Sequence, residues 1–131
     1  MSEDREDLEK LYVDQEDVNR KRILETLQGV VAIDSETGEM VPMAGFKNLS
    51  SRKKFVTYLL YRRAAKILGE ISEEELGAES KEIAAIVNGN ASTIRAYASD
   101  MDYVETDKKN GGYFIPSQYI PDACDDIPEE V

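Results

Sequence analysis

Four side chains between residues 92 and 99 have the types and the spacing to contact nucleic acid. A helix over about residues 91–100 would bury apolar residues that recur at i, i+3, i+4 and i+7, namely Ile94, Tyr97, Ala98 and Met101. The other side of this helix would carry hydroxyl groups and one guanidinium, those of Ser92, Thr93, Arg95 and Ser99. Hydroxyl groups bond phosphate oxygens, and a guanidinium can pair with guanine for about 1–3 kcal/mol of discrimination. The pattern therefore predicts a helix whose exposed side suits close approach to phosphates and base edges.

A second interpretation applies to the two hydroxyl groups at the start of this helix. Ser92 and Thr93 are residue types that favour the first turn of a helix, where they cap backbone amides. Capping of the helix is therefore the structural alternative to contact with phosphate.

Short elements on either side would hold this helix in place. Ile83, Ile86 and Val87 at i, i+3 and i+4 predict a preceding helix, which ends near Gly89, and Asn90 can cap the next one. After the second helix, apolar segments at 103–105 and 113–116 enclose a polar turn with two glycines, which predicts a β-hairpin. The turn carries Lys108 and Lys109, which either contact DNA or belong to an ordinary polar turn.

This arrangement resembles the winged helix-turn-helix superfamily over roughly residues 50 to 120. Ser92-Thr93-Ile94-Arg95 resembles the start of a recognition helix, the two apolar segments resemble the wing strands, and residues 107–112 resemble the wing tip. The resemblance implies an α+β, mainly α fold with a three-helix core and a β-hairpin wing. It also implies a DNA-binding regulator of transcription, although this superfamily indicates a fold more strongly than a function.

The longest predicted helix covers roughly residues 50–68 and would be the first helix of the core. Its apolar residues fall on one broad face. Near its start, Arg52, Lys53 and Lys54 could contact the DNA backbone beside the site. The segment 47–69 contains seven basic residues and no Asp or Glu, which is typical either of a binding surface or of a solvated helix face.

Residues 1–46 predict an extension to this domain. Asp14 can cap a helix that ends at Gly29, and a small hairpin follows over residues 30–41. The extension could supply the contact of a homodimer, which would double the few contacts that one subunit makes with DNA. The predicted organisation is an extension (1–46), a winged-helix domain (47–121) and an acidic flexible tail (122–131).

The composition argues against several other kinds of protein. The 131 residues include no histidine, so the commonest general base and the commonest metal ligand are missing. The one cysteine, Cys124, therefore has no histidine that could activate its thiol as a nucleophile. There is no Gly-rich phosphate loop and no calcium-type loop. We therefore predict no enzymatic activity, no cofactor and no metal, and we interpret Cys124 as incidental.

The acidity of the chain bears on compartment and partners. A single cysteine forms no internal disulfide, which favours a cytoplasmic location, and no apolar run is long enough for a bilayer, so no membrane partner is expected. The net charge of −11 is typical of a protein from a high-salt cytoplasm, or of one with a basic protein partner. The alternative function is therefore an interaction adaptor that uses the winged-helix fold without sequence-specific DNA binding.

Overall fold

The computed structural model describes residues 7–12, 14–87 and 89–127 and is α+β, mainly helical, as the sequence predicts. Its α-helices include α1 (Gln15–Leu27), α2 (Ala44–Lys47), α3 (Ser51–Ile67), α4 (Ser80–Val87), α5 (Ala91–Asp100) and α6 (Ile120–Asp126). Two antiparallel hairpins join β1 (Val31–Ile33) to β2 (Met40–Pro42) and β3 (Glu105–Thr106) to β4 (Tyr113–Phe114). Residues 1–6 and 128–131, at the outer ends of the predicted extension and tail, lie outside the described residues.

The core is built around α3. The Ser50 hydroxyl accepts a hydrogen bond from the Lys53 N–H at 3.3 Å, so the helix begins where the sequence predicts. Its middle is almost completely buried, as shown by Phe55, Leu59 and Leu60, because α1, α4, α6 and β4 all pack against it. Full burial of one such side chain contributes about 1.5–3 kcal/mol, so α3 is the main source of hydrophobic stabilisation.

The helix pair α4–α5 lies against α3 and leads into the second hairpin. The pair forms because each helix has an apolar stripe, with Ile83 and Val87 buried on α4 and Ile94 buried on α5. The hairpin is shorter than predicted: its first strand begins at Glu105, because Tyr103 and Val104 turn into the core instead of pairing with β4.

The N-terminal segment shares one core with the remainder of the chain. The Asp14 carboxylate caps α1 by accepting from the Glu16 and Asp17 amides, as the sequence predicts. From this segment Ile23, Leu27, Val31 and Phe46 join the same buried cluster as α3, and the Tyr61 hydroxyl on α3 donates to the Gly38 carbonyl in the first hairpin at 2.6 Å. The predicted boundary at 46/47 therefore does not separate two hydrophobic cores.

The prediction of a flexible tail that begins at Asp122 is wrong for residues 122–127. These residues complete α6, and their buried apolar positions follow a helical spacing: Ile120, Ala123, Cys124 and Ile127. The helix packs on α1 and α3, and Asp125 pairs with Arg22 of α1. Cys124 is thus a core residue rather than an incidental one, and burial raises the pKa of its thiol.

Candidate nucleic-acid interface

The helix α5 has one buried side and one exposed side. Ile94 and Ala98 face the core, and the Tyr97 ring lies 6.2 Å from the Phe55 ring of α3, measured between centroids. The exposed side carries four residues, which are Ser92, Arg95, Ala96 and Ser99. The structure thus brings together on one face three of the predicted DNA-contacting residues, and Thr93 is half-buried beside them. The acidic segment that forms α6 packs on other helices and leaves this face exposed.

Asn90 organises the start of α5. Its side-chain oxygen accepts from the Thr93 N–H at 2.9 Å, from the Thr93 hydroxyl at 3.0 Å and from the Ser92 hydroxyl at 2.6 Å. Both hydroxyl hydrogens therefore serve the cap, as the structural alternative predicts. In this arrangement Ser92 and Thr93 offer no hydroxyl donor to a phosphate, although the backbone amides of the first turn still point out of the helix end.

Arg95 is only weakly held on the exposed side of α5. It is exposed, and its Nη1 lies 3.5 Å from the Ser80 hydroxyl at the start of α4, which is a long and weak hydrogen bond. A bidentate contact with guanine would cost little, because such a bond is easily replaced.

The second hairpin is fixed to residue 78 beside its turn, and the turn itself is ordered. Ala78 and Tyr113 exchange two backbone hydrogen bonds of 2.9 and 2.8 Å, which add residue 78 to the edge of β4. At the tip, the Asp107 carboxylate accepts from the Lys109 and Asn110 amides, both at 2.9 Å. The Asn110 amide is the main cause of the lowered pKa of Asp107. The tip thus has a defined backbone, and the side chains of Lys108 and Lys109 are exposed on it.

The three basic residues at the start of α3 lie in different surroundings. Arg52 forms an ion pair with Asp126 of α6 at 3.6 Å, and Asp126 also accepts from the Tyr103 hydroxyl. The Lys54 ammonium lies 5.6 Å from the centre of the Phe46 ring, which is a cation–π contact, and Lys53 is half-buried. Arg52 and Lys54 are therefore turned towards α6 and the N-terminal segment, and nothing in their contacts joins them to the exposed side of α5.

The basic segment 47–69 does not form one binding surface. Arg62 donates to the carbonyl groups of residues 75–77 and pairs with Glu82 of α4 at 3.2 Å. Arg63 is buried, and it donates to the Ile115 carbonyl at 2.7 Å. Burial lowers the pKa of its guanidinium, which still stays charged at neutral pH. Neither a binding surface nor a solvated helix face describes these two residues, because the loops after α3 and β4 need donors for their carbonyl groups.

Acidic residues border the exposed side of α5. Asp100 ends the helix, Asp102 follows it, and both are exposed. They would repel phosphate at one end of the helix, while Arg95 lies nearer the other end. A duplex bound here would therefore contact the first two turns of α5. The tip lysines Lys108 and Lys109 lie beside Glu73 and Glu74 of the turn before α4.

Within residues 7–12, 14–87 and 89–127 no cluster of His, Cys, Asp or Glu has the geometry of a metal site, and no helix is long and apolar enough to cross a membrane. No protein-family model matches the chain, and neither a search of curated proteins nor a search of solved structures gives a match.

Proposed function

We propose that this chain is a winged-helix DNA-binding protein that regulates transcription, with α5 as its recognition helix. The order of elements supports this proposal: α3, the bridge at Ala78, α4, the capping residue Asn90, α5 and the β3–β4 hairpin. The single observation that carries it is the exposed side of α5, where Arg95 and Ser99 face solvent while Ile94 and Ala98 fix the helix to the core.

In the proposed mode, α5 enters the major groove with its N-terminus first. The backbone amides of its first turn meet a phosphate, favoured by the positive end of the helix dipole. Arg95 pairs with the edge of a guanine, and Lys108 and Lys109 contact the neighbouring backbone. Arg52 would have to leave Asp126 before it could contact a phosphate, so the start of α3 contributes less than the sequence suggests.

The test is binding of labelled duplexes, followed by fluorescence anisotropy over a series of salt concentrations. A random duplex measures backbone contacts, and a duplex selected from a random library measures sequence discrimination. We expect log Kd to rise linearly with log salt concentration, and we expect Lys108→Ala and Lys109→Ala each to reduce the slope by about 1 if each lysine contacts one phosphate.

Two substitutions separate the charge of Arg95 from its shape. Arg95→Ala should weaken binding and should lower the preference for the selected duplex by about 1–3 kcal/mol. Arg95→Lys keeps the positive charge but loses the planar pair of donors, so it should keep the salt slope and lose the preference. Lys47→Ala, at an exposed lysine on α2, is the control and should change neither quantity. Absence of binding to either duplex at low salt would overturn the proposal.

A protein-interaction adaptor is the second candidate function. It is favoured by the capping of Ser92 and Thr93 to Asn90 and by the inward orientation of Arg62 and Arg63, which leave few free donors for phosphate. The net charge of −11 would then attract a basic partner. In both cases we propose the reducing cytoplasm as the compartment, since Cys124 has no second cysteine with which to pair.

A further inference from the structure

A polar crevice separates the tip of the second hairpin from the turn before α4. It has a volume of about 720 Å³. One wall is the turn of residues 72–75, which we term the acidic turn, and it contributes Glu73 and Glu74. The hairpin tip forms the other wall and contributes Lys108 and Lys109, and all four side chains are exposed. The lysines that are proposed to contact DNA therefore share one crevice with two carboxylates.

Both walls of the crevice are held in place. The acidic turn is closed by the Glu75 carboxylate, which accepts hydrogen bonds from the Ser72 N–H and from the Ser72 hydroxyl, both at 3.0 Å. Arg62 of α3 donates to the carbonyl groups of residues 75–77, which ties the end of the turn to the core. The bridge at Ala78 then joins the same segment to β4 of the hairpin. The carboxylates of the acidic turn are thus mounted beside the tip.

A third carboxylate makes the crevice negative overall. Asp107 belongs to the tip, and its carboxylate accepts hydrogen bonds from the Lys109 and Asn110 amides at 2.9 Å. These bonds, chiefly the one from Asn110, lower the pKa of Asp107, so its carboxyl group is ionised at neutral pH. The described lining therefore holds three carboxylates and two ammonium groups. A phosphate that approaches the two lysines also approaches a larger negative charge.

We propose that the acidic turn restrains the binding of DNA at the hairpin tip. Glu73 and Glu74 offset the charge of the two tip lysines, and they repel the phosphate groups that these lysines would contact. The restraint is electrostatic, so it extends over about 30 Å at 0.01 M salt and over about 8 Å at 0.15 M salt. The inference rests on the proposed function, because it concerns the same contact between the tip and DNA.

Removal of the two charges tests the restraint. Glu73→Gln combined with Glu74→Gln keeps the shape of both side chains and leaves the bonds between Ser72 and Glu75 intact, so the variant should fold. Fluorescence anisotropy with a random duplex at low salt should show a Kd that is lower by about threefold or more, because two repulsive charges are gone. This difference from the unaltered chain should shrink as the salt concentration rises.

Two further variants make the binding test specific. Glu25→Gln combined with Asp122→Asn changes the net charge by the same amount, at exposed positions of α1 and α6 that do not line the crevice. This control should change the Kd by less than about twofold, because its charges lie away from the tip. In a chain that also carries Lys108→Gln and Lys109→Gln, the gain from the two glutamate substitutions should disappear, since the tip then has no contact with phosphate to restrain.

The rate of lysine acetylation supplies a second measurement, which needs no DNA. Lys108 and Lys109 are acetylated with a neutral succinimidyl ester and, separately, with its anionic sulfonated form, and mass spectrometry follows each site. The ratio of the anionic rate to the neutral rate reports the local potential, because the reactivity of the amine affects both rates alike. The ratio should rise about twofold or more when the two glutamates are replaced, and it should stay unchanged in the Glu25 and Asp122 control.

Three results would overturn the proposal. They are a Kd no lower than that of the control variant, a gain in affinity that persists without the tip lysines, and an unchanged ratio of acetylation rates. If no variant bound DNA while the rate ratio rose, the proposed function would be wrong, and the effect of the acidic turn on the tip lysines would be confirmed. Circular dichroism of each variant should show the helix content of the unaltered chain, which excludes misfolding as the cause.

Discussion

The Tyr58 hydroxyl on α3 donates a hydrogen bond of 2.5 Å to the Glu82 carboxylate on α4. Arg62, one turn after Tyr58, donates to the same carboxylate oxygen at 3.2 Å. Burial and the contact with Glu82 raise the pKa of Tyr58, so its hydroxyl stays protonated and remains a donor at physiological pH. These contacts fix the first helix of the α4–α5 pair to the core, and so they set the position from which α5 faces solvent.

Tyr58→Phe should therefore destabilise the fold without changing its shape. It removes the hydrogen bond and leaves Glu82 with Arg62, so we expect a loss of about 1.5–3 kcal/mol, as for hydrogen bonds to charged groups. Urea unfolding measures the loss as a lower midpoint with an unchanged slope. Tyr12→Phe is the matched control, because Tyr12 is 75% exposed, and its midpoint should stay the same. Equal midpoints for both variants would contradict this role of Tyr58.

Asn90→Ala should shorten or loosen the start of α5. The substitution removes the oxygen that accepts three hydrogen bonds from Ser92 and Thr93, and we expect a cost of about 0.5–2 kcal/mol. Asn90→Asp keeps an acceptor at the cap and should lose little. Thermal unfolding by circular dichroism compares the two variants, and an alanine variant as stable as the aspartate variant would show that the cap is unimportant.

The packing of α6 predicts a loss of stability on substitution that a flexible tail would not show. Ile127 is 2% exposed, so Ile127→Ala should leave a cavity in the core and cost about 2–5 kcal/mol. Asp122→Ala, at an exposed position of the same helix, should change the stability by less than about 0.5 kcal/mol. If both variants unfolded at the same urea concentration as the unaltered chain, residues 120–127 would not be packed as described.

The hairpin tip should lose order in acid. The pKa of Asp107 is lowered in the folded chain, mainly by the hydrogen bond from the Asn110 amide. A carboxylate with a lowered pKa stabilises the fold above its unfolded pKa, about 3.9, and this stabilisation is lost as the pH falls through the lower folded value. Amide hydrogen exchange at Lys109 and Asn110, corrected for the intrinsic pH dependence, should become less protected over that range. In Asp107→Ala the two amides should be unprotected at every pH.

Local patterns predicted the elements that present the candidate site. The helix α3 follows from its broad apolar face, and α5 follows from its apolar stripe and from the capping residue Asn90. Both signals are local, because an apolar period and a capping side chain fall within a few turns of one another. The sequence therefore indicates which side of α5 faces solvent, except that Thr93 is half-buried.

Long-range contacts account for the differences. Arg63 turns inward because the Ile115 carbonyl, 52 residues away, needs a donor, and no pattern near Arg63 indicates this. The acidic composition and nearby prolines of residues 120–127 suggest a flexible tail. The helical spacing of their buried positions is hard to recognise in the sequence, because two of them are the small residues Ala123 and Cys124. The hydroxyl groups of Ser92 and Thr93 suited both phosphate contact and capping, and only the geometry at Asn90 distinguishes the two.

Two glycines, Gly112 in the turn of the second hairpin and Gly77 opposite it, determine how the hairpin is attached. A Cβ atom at Gly112 would lie 2.7 Å from the Ala78 nitrogen, and one at Gly77 would lie 2.6 Å from the Gly111 oxygen. Gly112 also has a φ of +89°, a backbone angle that residues other than glycine rarely adopt. The backbone of residues 111–112 therefore lies directly against the backbone of residues 77–78, with no side chain between them. The loop of residues 108–110 can consequently change in length and charge while the hairpin keeps its orientation relative to the rest of the fold.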